Sequence, residues 1–306
     1  MDRLEAMSML IEVADTGSFS AAARSLDVPV TTLTRKISDL EAALGAKLLL
    51  RSTRRLDLTD AGITYLTAAR RIVEQVNEAE REAAGEFTAP KGRLVITAPV
   101  QFGQLHVLPV VADFLSLFPE IDVSLLLIDR NVQLVEDHVD MAVRIGRLPD
   151  SSMISTAIGT MRMVTCASPR LLGAHSMPAS PKDLLPFPAV AVDGPMPQSG
   201  WQFRDQHTKS NLSVPVTPRL TVTTVDAAVR AGILGAGVIR LFHYQVAEAV
   251  EAGTLKIILQ DYEPEPVPVS LVHASRGQMP LKMRSFLDFA APRLRAVLAE
   301  LQALKA

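Results

Sequence analysis

Cysteine is almost missing from this chain of 306 residues, with Cys166 alone in its class. A single cysteine excludes an intrachain disulfide and a cysteine-cluster zinc site, and it fits a reducing compartment. Positive charge is not in excess either: 31 Lys and Arg against 33 Asp and Glu leave a formal net charge of -2. As a whole-chain average this argues against a nucleic-acid binder, which needs bases to neutralise phosphates. Long apolar runs are missing too, since no stretch approaches 18 uninterrupted apolar residues. The opening Met1-Asp2-Arg3-Leu4-Glu5 has acids where a signal peptide carries bases and then an apolar run. A cytoplasmic protein with no membrane partner is the expectation.

Catalytic and metal patterns are equally absent. His106, His138, His175, His207, His243 and His273 are scattered, with no HExxH and no metal-ligand spacing. Ser168 and Ser275 lack the Gly-x-Ser-x-Gly elbow. Gly232, Gly235 and Gly237 run from helix into strand, the reverse of a dinucleotide fingerprint, and read as a helix stop and turn. Cys166 reads as a small buried strand residue. Neither an enzyme nor a bound metal or cofactor is expected. What remains, 48% hydrophobic and 21% charged, is an ordinary globular composition, and the length suggests two or three domains.

From Leu4 to about Leu44 apolar residues recur at helical spacing, broken at Thr16-Gly17-Ser18 and Asp27-Val28-Pro29. In the third of these helices Leu33, Ile37, Leu40 and Leu44 form one stripe expected to face inward, and Gly45 stops it. Lys47 to Arg51 and Arg55 to Leu58 suggest two short strands around the basic turn Ser52-Thr53-Arg54. Three helices and such a hairpin make a winged helix-turn-helix. Thr59 suits the N-cap of a longer helix to about Glu86. Within it Leu66, Ala69, Val73, Val76, Glu80 and Ala83 step by three and four, the seam of a short coiled coil with a second chain. The same stripe also suits a helix packed on its own domain. Pro90-Lys91-Gly92 breaks it.

Beyond Arg93 apolar runs alternate with amphipathic helices, as in parallel strands joined by crossovers. Strands are expected at 94–98, 123–128 and 141–145, with helices at 105–118 and 132–137. A second set follows, with strands at 163–167, 189–192 and 237–241 and helices at 224–234 and 244–252. Return to a strand at 269–273 and a closing helix at 281–304 gives two α/β lobes joined by two crossovers.

The N-terminal segment, with Gly17-Ser18-Phe19-Ser20-Ala21-Ala22-Ala23, Leu33-Thr34-Arg35-Lys36-Ile37, Leu40-Glu41, Leu44-Gly45 and Leu58-Thr59-Asp60-Ala61-Gly62, resembles the LysR-type transcriptional regulators. So many matches at fixed spacing over some sixty residues are specific. The third helix, its stripe inward, fits a major groove about 12 Å wide. Arg35, a planar fork, is placed to read a base or clamp a phosphate. Ser18, Ser20, Thr31, Thr32 and Thr34 are short donors for phosphate oxygens, and Lys36, Arg51, Thr53 and Arg54 flank them. Pro29-Val30-Thr31 departs from the family's usual Ser-Gln-Pro/Ser opening, so an operator cannot be carried over. Val30 suits either a thymine methyl or an extension of the inward stripe.

The remainder resembles the family's effector-binding region through Ala98-Pro99-Val100-Gln101-Phe102-Gly103, Asp129-Arg130, Asp140 to Gly146, Leu148 to Ser152 and Cys166-Ala167-Ser168-Pro169. The fold this implies is α+β in two parts: a winged helix-turn-helix (1–58) and linker helix (59–90), then a two-lobed, periplasmic-binding-protein-like domain (91–306). Lobe I takes about 91–162 and 267–306, lobe II about 163–266. A helix starting near Gln101 would offer free amides to an anion. The wall expected from that geometry is Pro99, Val100, Gln101, Phe102 and Gly103, with Asp129, Ile145 and Gly146. Thr223, Thr224 and Phe242 would face it from lobe II. Asp129 would oppose an anionic effector unless paired by Arg130 or Arg147. The implied partners are promoter DNA, a small-molecule co-inducer or co-repressor, RNA polymerase and further copies of the chain, as dimer and tetramer.

A solute-binding protein is the rival reading of the two lobes, and the DNA-reading head argues against it. The average charge also resolves. Between Arg24 and Leu58 seven bases face four acids, and the acid-rich linker helix cancels them in the sum.

Overall fold

The computed structural model describes residues 2–51, 56–83, 89–130, 132–148, 153–193, 200–274 and 279–303. Ser52, Thr53, Arg54 and Arg55 of the expected wing, Glu86 and the stretch 149–152 lie outside them, as do the side chains of Arg51 and Ala83. The chain divides into two compact units, Met1–Thr88 and Ala89–Ala306.

In the first unit α1 (Arg3–Thr16) begins where the Asp2 carboxylate accepts from the amides of Leu4 and Glu5. It ends at Gly17, whose φ of 65° is the left-handed turn that glycine adopts freely. Ser18 caps α2 (Phe19–Ser25) by accepting from the Ala21 amide. Helix α3 (Val30–Leu44) follows Pro29, which supplies no capping side chain. Leu33, Ile37 and Leu40 are buried with Ala6, Leu10 and Val13 of α1 and Ala22 of α2. The expected stripe is one residue too long, because Leu44 is exposed beyond the end of the packed face. Val30 is exposed as well, so it does not extend the stripe.

Beside the stripe, Glu41 is the one charged group that α3 buries among the described residues. Its carboxylate accepts from Lys47 Nζ at 2.8 Å and from the amides of Leu48 at 2.9 Å and Leu49 at 3.2 Å. These bonds tie α3 to the entry of β1 (Leu49–Arg51), which pairs antiparallel with β2 (Leu56–Leu58). Thr59 then caps α4 (Asp60–Ala83), its hydroxyl accepting from the Gly62 amide at 2.8 Å and donating to the Lys47 carbonyl at 2.6 Å. The seam expected along α4 is partly used within the chain. Leu66 joins the core of the head and Ala69 is fully buried, with Arg70 ion-paired to Asp15 of α1.

The second unit opens with β3 (Gly92–Ala98). A helical rod follows, made of α5 (Val100–Phe102), a π-helical turn at Gly103–Val107 and α6 (Leu108–Leu117). Next come β4 (Ile121–Leu127), β5 (Met141–Ile145) and β6 (Met153–Met161). Beyond them lie β7 (Met163–Ala167), α7 (Pro169–Ala174), β8 (Ala189–Val192), β9 (Trp201–Arg204), β10 (Asn211–Val214) and β11 (Pro218–Val222). Helix α8 (Val225–Ile233), β12 (Ile239–Phe242), α9 (His243–Glu251), β13 (Lys256–Ile258), β14 (Val267–Ala274) and α10 (Leu281–Ala303) complete it.

Lobe I is a five-stranded sheet in the order β4-β3-β5-β14-β6. The three strands expected first, β3, β4 and β5, are parallel. The crossover strands are not, since β14 runs antiparallel to both β5 and β6. Lobe II holds the antiparallel set β12-β7-β13, the parallel pair β11-β8 and the hairpin β9-β10. The expected helix at 132–137 is instead a run of turns. Its apolar residues Val132 and Leu134 pack under the sheet with Val139 and Ala142. An ion pair clasps the two crossovers, Arg162 Nε and Nη donating to the two Glu263 oxygens at 2.9 and 2.8 Å. Cys166 is buried, and burial together with Glu263 pushes its thiol up to about 12.

Burial alone would raise the Glu41 pKa, but Lys47 and the two amides outweigh it and hold the carboxyl below its usual value. Its contribution is therefore present above the unfolded carboxyl pKa of about 4.3 and lost as pH falls through the lower folded value. Denaturant unfolding of wild type and Glu41→Gln across pH 2–7 is expected to show a stability gap of about 2 kcal/mol at neutral pH that closes below about pH 4. A gap that does not change with pH overturns the assignment.

Candidate DNA-reading face and effector site

With Leu33, Ile37 and Leu40 turned inward, the opposite side of α3 carries Thr31 and Arg35, both exposed. Thr32, Thr34 and Lys36 are half-buried at its edges. Arg35 makes no hydrogen bond or ion pair with any described residue, so its fork is free for an outside acceptor. Lys36 differs from expectation. It reaches back to α1 and is ion-paired with Glu5, which neutralises the charge expected on the helix flank. Ser20 is exposed at the start of α2, whereas the Ser18 oxygen is occupied as that helix's cap. Arg51 contributes backbone to β1.

In the second unit the residues expected around the cleft separate into two groups. Pro99, Val100 and Gln101 lie half-buried at the end of β3 and the start of the rod. Phe102 and Gly103 are buried, which corrects their placing on an open wall. A Cβ on Gly103 would come within 2.2 Å of Leu127 Cδ2 and 3.2 Å of Ala98 Cβ, so a larger residue here would have to displace the Leu127 side chain. The free helix amide expected for an anion is corrected as well. The Val100 N–H donates to Asp129 Oδ1 at 2.9 Å, so the chain's own carboxylate occupies that end. Neither Arg130 nor Arg147 pairs with Asp129 among the described residues. Ile145 is half-buried against the lobe I core. Gly146, at φ 122°, donates its amide to the Pro268 carbonyl at 2.8 Å and ties β5 to the return crossover.

From lobe II, Thr223 is exposed, and the Thr224 hydroxyl is used to cap α8 by accepting from the Ala227 amide at 3.3 Å. Phe242 ends β12 and packs against the lobe I core. Two residues on, Tyr244 is buried in that same core, its ring edge-on to Phe102 at 5.4 Å and near His106 at 5.9 Å. Burial raises the Tyr244 hydroxyl far above its usual range, and it accepts from Gln245 Nε2 at 3.2 Å. Burial lowers the His106 pKa, and both His106 Nε2 and Gln101 Oε1 are sealed from solvent without a partner. The lobes thus meet through Phe102, His106, Phe242 and Tyr244. Sequence reasoning missed His106 and Tyr244. The available signal was the alternation Phe242-His243-Tyr244 at a strand's end, which reads equally well as helix core.

A family model described as the bacterial regulatory helix-turn-helix protein, lysR family, matches residues 4–63, and one described as the LysR substrate binding domain matches residues 88–295. The chain belongs to the LysR family. Among its relatives, the HTH-type transcriptional regulator YhjC of Escherichia coli K12 is 32% identical over 291 residues, 95% of this chain and 97% of that protein. The transcriptional activator AaeR of the same strain is 30% identical over 290 residues, 94% and 93% of the two chains. Among solved structures, CrgA, a LysR-type transcriptional regulator from Neisseria meningitidis, superposes with a TM-score of 0.60 at 28% identity, covering 95% of this chain and 98% of that one. This LysR-type protein is therefore a DNA-binding transcriptional regulator with an effector-binding domain, and not an enzyme.

Because Asp129 caps the rod of this LysR regulator, Asp129→Ala is expected to cost about 1 kcal/mol in urea unfolding. Asp129→Asn, which keeps an acceptor, should recover most of it. Equal losses in the two variants would show that the cap is not what Asp129 provides.

Proposed function

We propose that the protein acts in the cytoplasm as a homo-oligomeric regulator that sets α3 of each head in a major groove of promoter DNA. The observation that carries this reading is Arg35, exposed and without a partner among the described residues, on the outer face of a helix whose inner face is core. In it Arg35 reads a base edge, with Thr31 and Thr34 beside it and Ser20 and the amide-rich start of α2 on phosphate. Thr32, Ser18, Arg51, Thr53 and Arg54 complete the contact, and Lys36 positions α3 through Glu5 rather than holding phosphate. RNA polymerase is the partner of the DNA-bound form.

The effector site of this reading lies where the lobes meet, between Pro99, Val100, Gln101, Asp129 and Gly146 of lobe I and Thr223 and Phe242 of lobe II. A ligand bound to both lobes shifts an equilibrium between lobe arrangements and so changes how the oligomer holds DNA. Two features support self-association. On α4, Ile63 and Ile72 stay exposed while Leu66 and Ala69 turn to the head's core. On the rod, Leu105, Leu108, Ala112 and Leu115 step by three, four and three along one exposed face, a stripe suited to a partner.

Electrophoretic mobility shifts with the protein's own upstream DNA test the DNA reading. Arg35→Ala is expected to weaken specific binding by about 5- to 150-fold, about 1–3 kcal/mol for one bidentate base contact, with unchanged circular dichroism. Wild-type affinity in that variant sinks the recognition-helix assignment. For assembly, the double change Leu108→Glu with Leu115→Glu should lower the mass measured by light scattering. An unchanged mass removes the rod from the interface.

A further inference from the structure

Two arginines of lobe II, one on β9 and one on β12, each have an Nε sealed from solvent without a hydrogen-bond partner, and they differ in whether a carboxylate answers the charge. Arg204, on β9, is ion-paired with Glu265. Arg240, on β12, has no such partner among the described residues. Its guanidinium carbon lies 4.6 Å from the centroid of the Phe203 ring, and one Nη donates to the Gln202 carbonyl. Its Nε–H is sealed from solvent and unpartnered. Burial brings the group's pKa down to about 10. Desolvating a cation without a counter-charge is costly, and such groups concentrate at sites where a ligand supplies the opposite charge.

The position of Arg240 points the same way. Residues two apart on a strand share a face. Ile239 and Leu241 face the core with Ala228 and Ala231 of α8 and Val246 of α9, so Arg240 and Phe242 face the other side. Phe242 packs against lobe I and stacks with Tyr244, ring centroids 6.4 Å apart. The unanswered cation therefore lies between β12 and β9, on the lobe II face that packs with Phe203 and Val238 and whose Phe242 end meets lobe I. On the lobe I side, the Val100 amide at the start of the rod is already taken by Asp129.

We infer that Arg240 is the anion-recognising residue of the effector site, and that the effector carries a carboxylate which docks on this guanidinium beside the Phe203 ring. The inference rests on the reading of the lobe junction as the effector site. Nε–H and an Nη–H can meet the two oxygens of a carboxylate in parallel, a fit that a point-charge cation lacks. Docking exchanges the Gln202 carbonyl for the ligand. An effector bound in this way is held by lobe II through its charge and meets lobe I through its uncharged part.

The test uses the full-length protein in thermal unfolding, with benzoate as the carboxylate, benzamide as its neutral counterpart, and chloride to match ionic strength. Benzoate is expected to raise the wild-type Tm by about 3 °C near ten times its Kd, and benzamide to leave it unchanged. Arg240→Met, which keeps the stem and removes the charge, should lose the benzoate shift, and Arg240→Lys should retain part of it. Without ligand, Arg240→Met should unfold at or above the wild-type Tm, because an unpaired buried charge has been removed. A fall of more than about 4 °C in ligand-free Arg240→Met would make the arginine a structural group and overturn the inference. So would an equal response to benzamide, no response in wild type, or a benzoate shift that survives in Arg240→Met. Gln101→Ala separates this inference from the reading beneath it. A shift kept by Arg240→Met and lost by Gln101→Ala overturns Arg240 and leaves the junction as the site. A shift lost by Arg240→Met and kept by Gln101→Ala supports Arg240 and overturns the lobe I wall.

Discussion

Tyr244 leaves the first turn of α9 in lobe II and buries its ring among Phe102, His106 and the rest of the lobe I core. Any change in the angle between the lobes must move this ring. Burial of an aromatic side chain stabilises by a few kcal/mol, so the lobes have a preferred arrangement rather than a free hinge. The Arg162–Glu263 pair ties the two crossovers at the same level. His243, just before Tyr244, donates its amide to the Arg162 carbonyl. Ring, crossovers and the start of α9 therefore form one mechanical element. A ligand that touched both lobes, as in the proposed effector site, would act against this element.

The DNA-reading head is governed by a similar economy of orientation. Burial of Leu33, Ile37 and Leu40 decides which side of α3 is left for DNA, and Glu41 locks the end of that helix to the strand that leads to the wing. Lys36 is spent on Glu5. The free charge on this face is correspondingly modest, in keeping with the net charge of -2. Affinity then leans on fitted contacts rather than on bulk attraction.

Much of the architecture was legible in the residues. The helices of the head, their glycine stops at Gly17 and Gly45, the Thr59 cap and the strands β3, β4, β5, β7 and β8 follow from periodicity and capping chemistry, which are local. The misses share a cause. Strands β6, β9, β10 and β11 are polar or irregular in pattern because they lie at sheet edges or cross between lobes, where only one face is covered. Val132 to Asp137 has helical spacing but meets the sheet as turns. Leu44 continues a stripe past the point where α1 and α2 end beneath it.

For the sites, residue type and motif placed Arg35 on the outer face of α3, and the family resemblance located the effector region. These are properties of spacing along one chain, and spacing is written in the sequence. What tertiary structure alone decided is which charges are answered. Lys36 and Asp129 were expected to be available and are taken, by Glu5 and by the Val100 amide. Arg240, unremarkable in sequence, is left without a counter-charge among the described residues. Whether a charged group has a partner depends on contacts across tens of residues and on the solvent that packing removes, and neither is encoded in the local pattern.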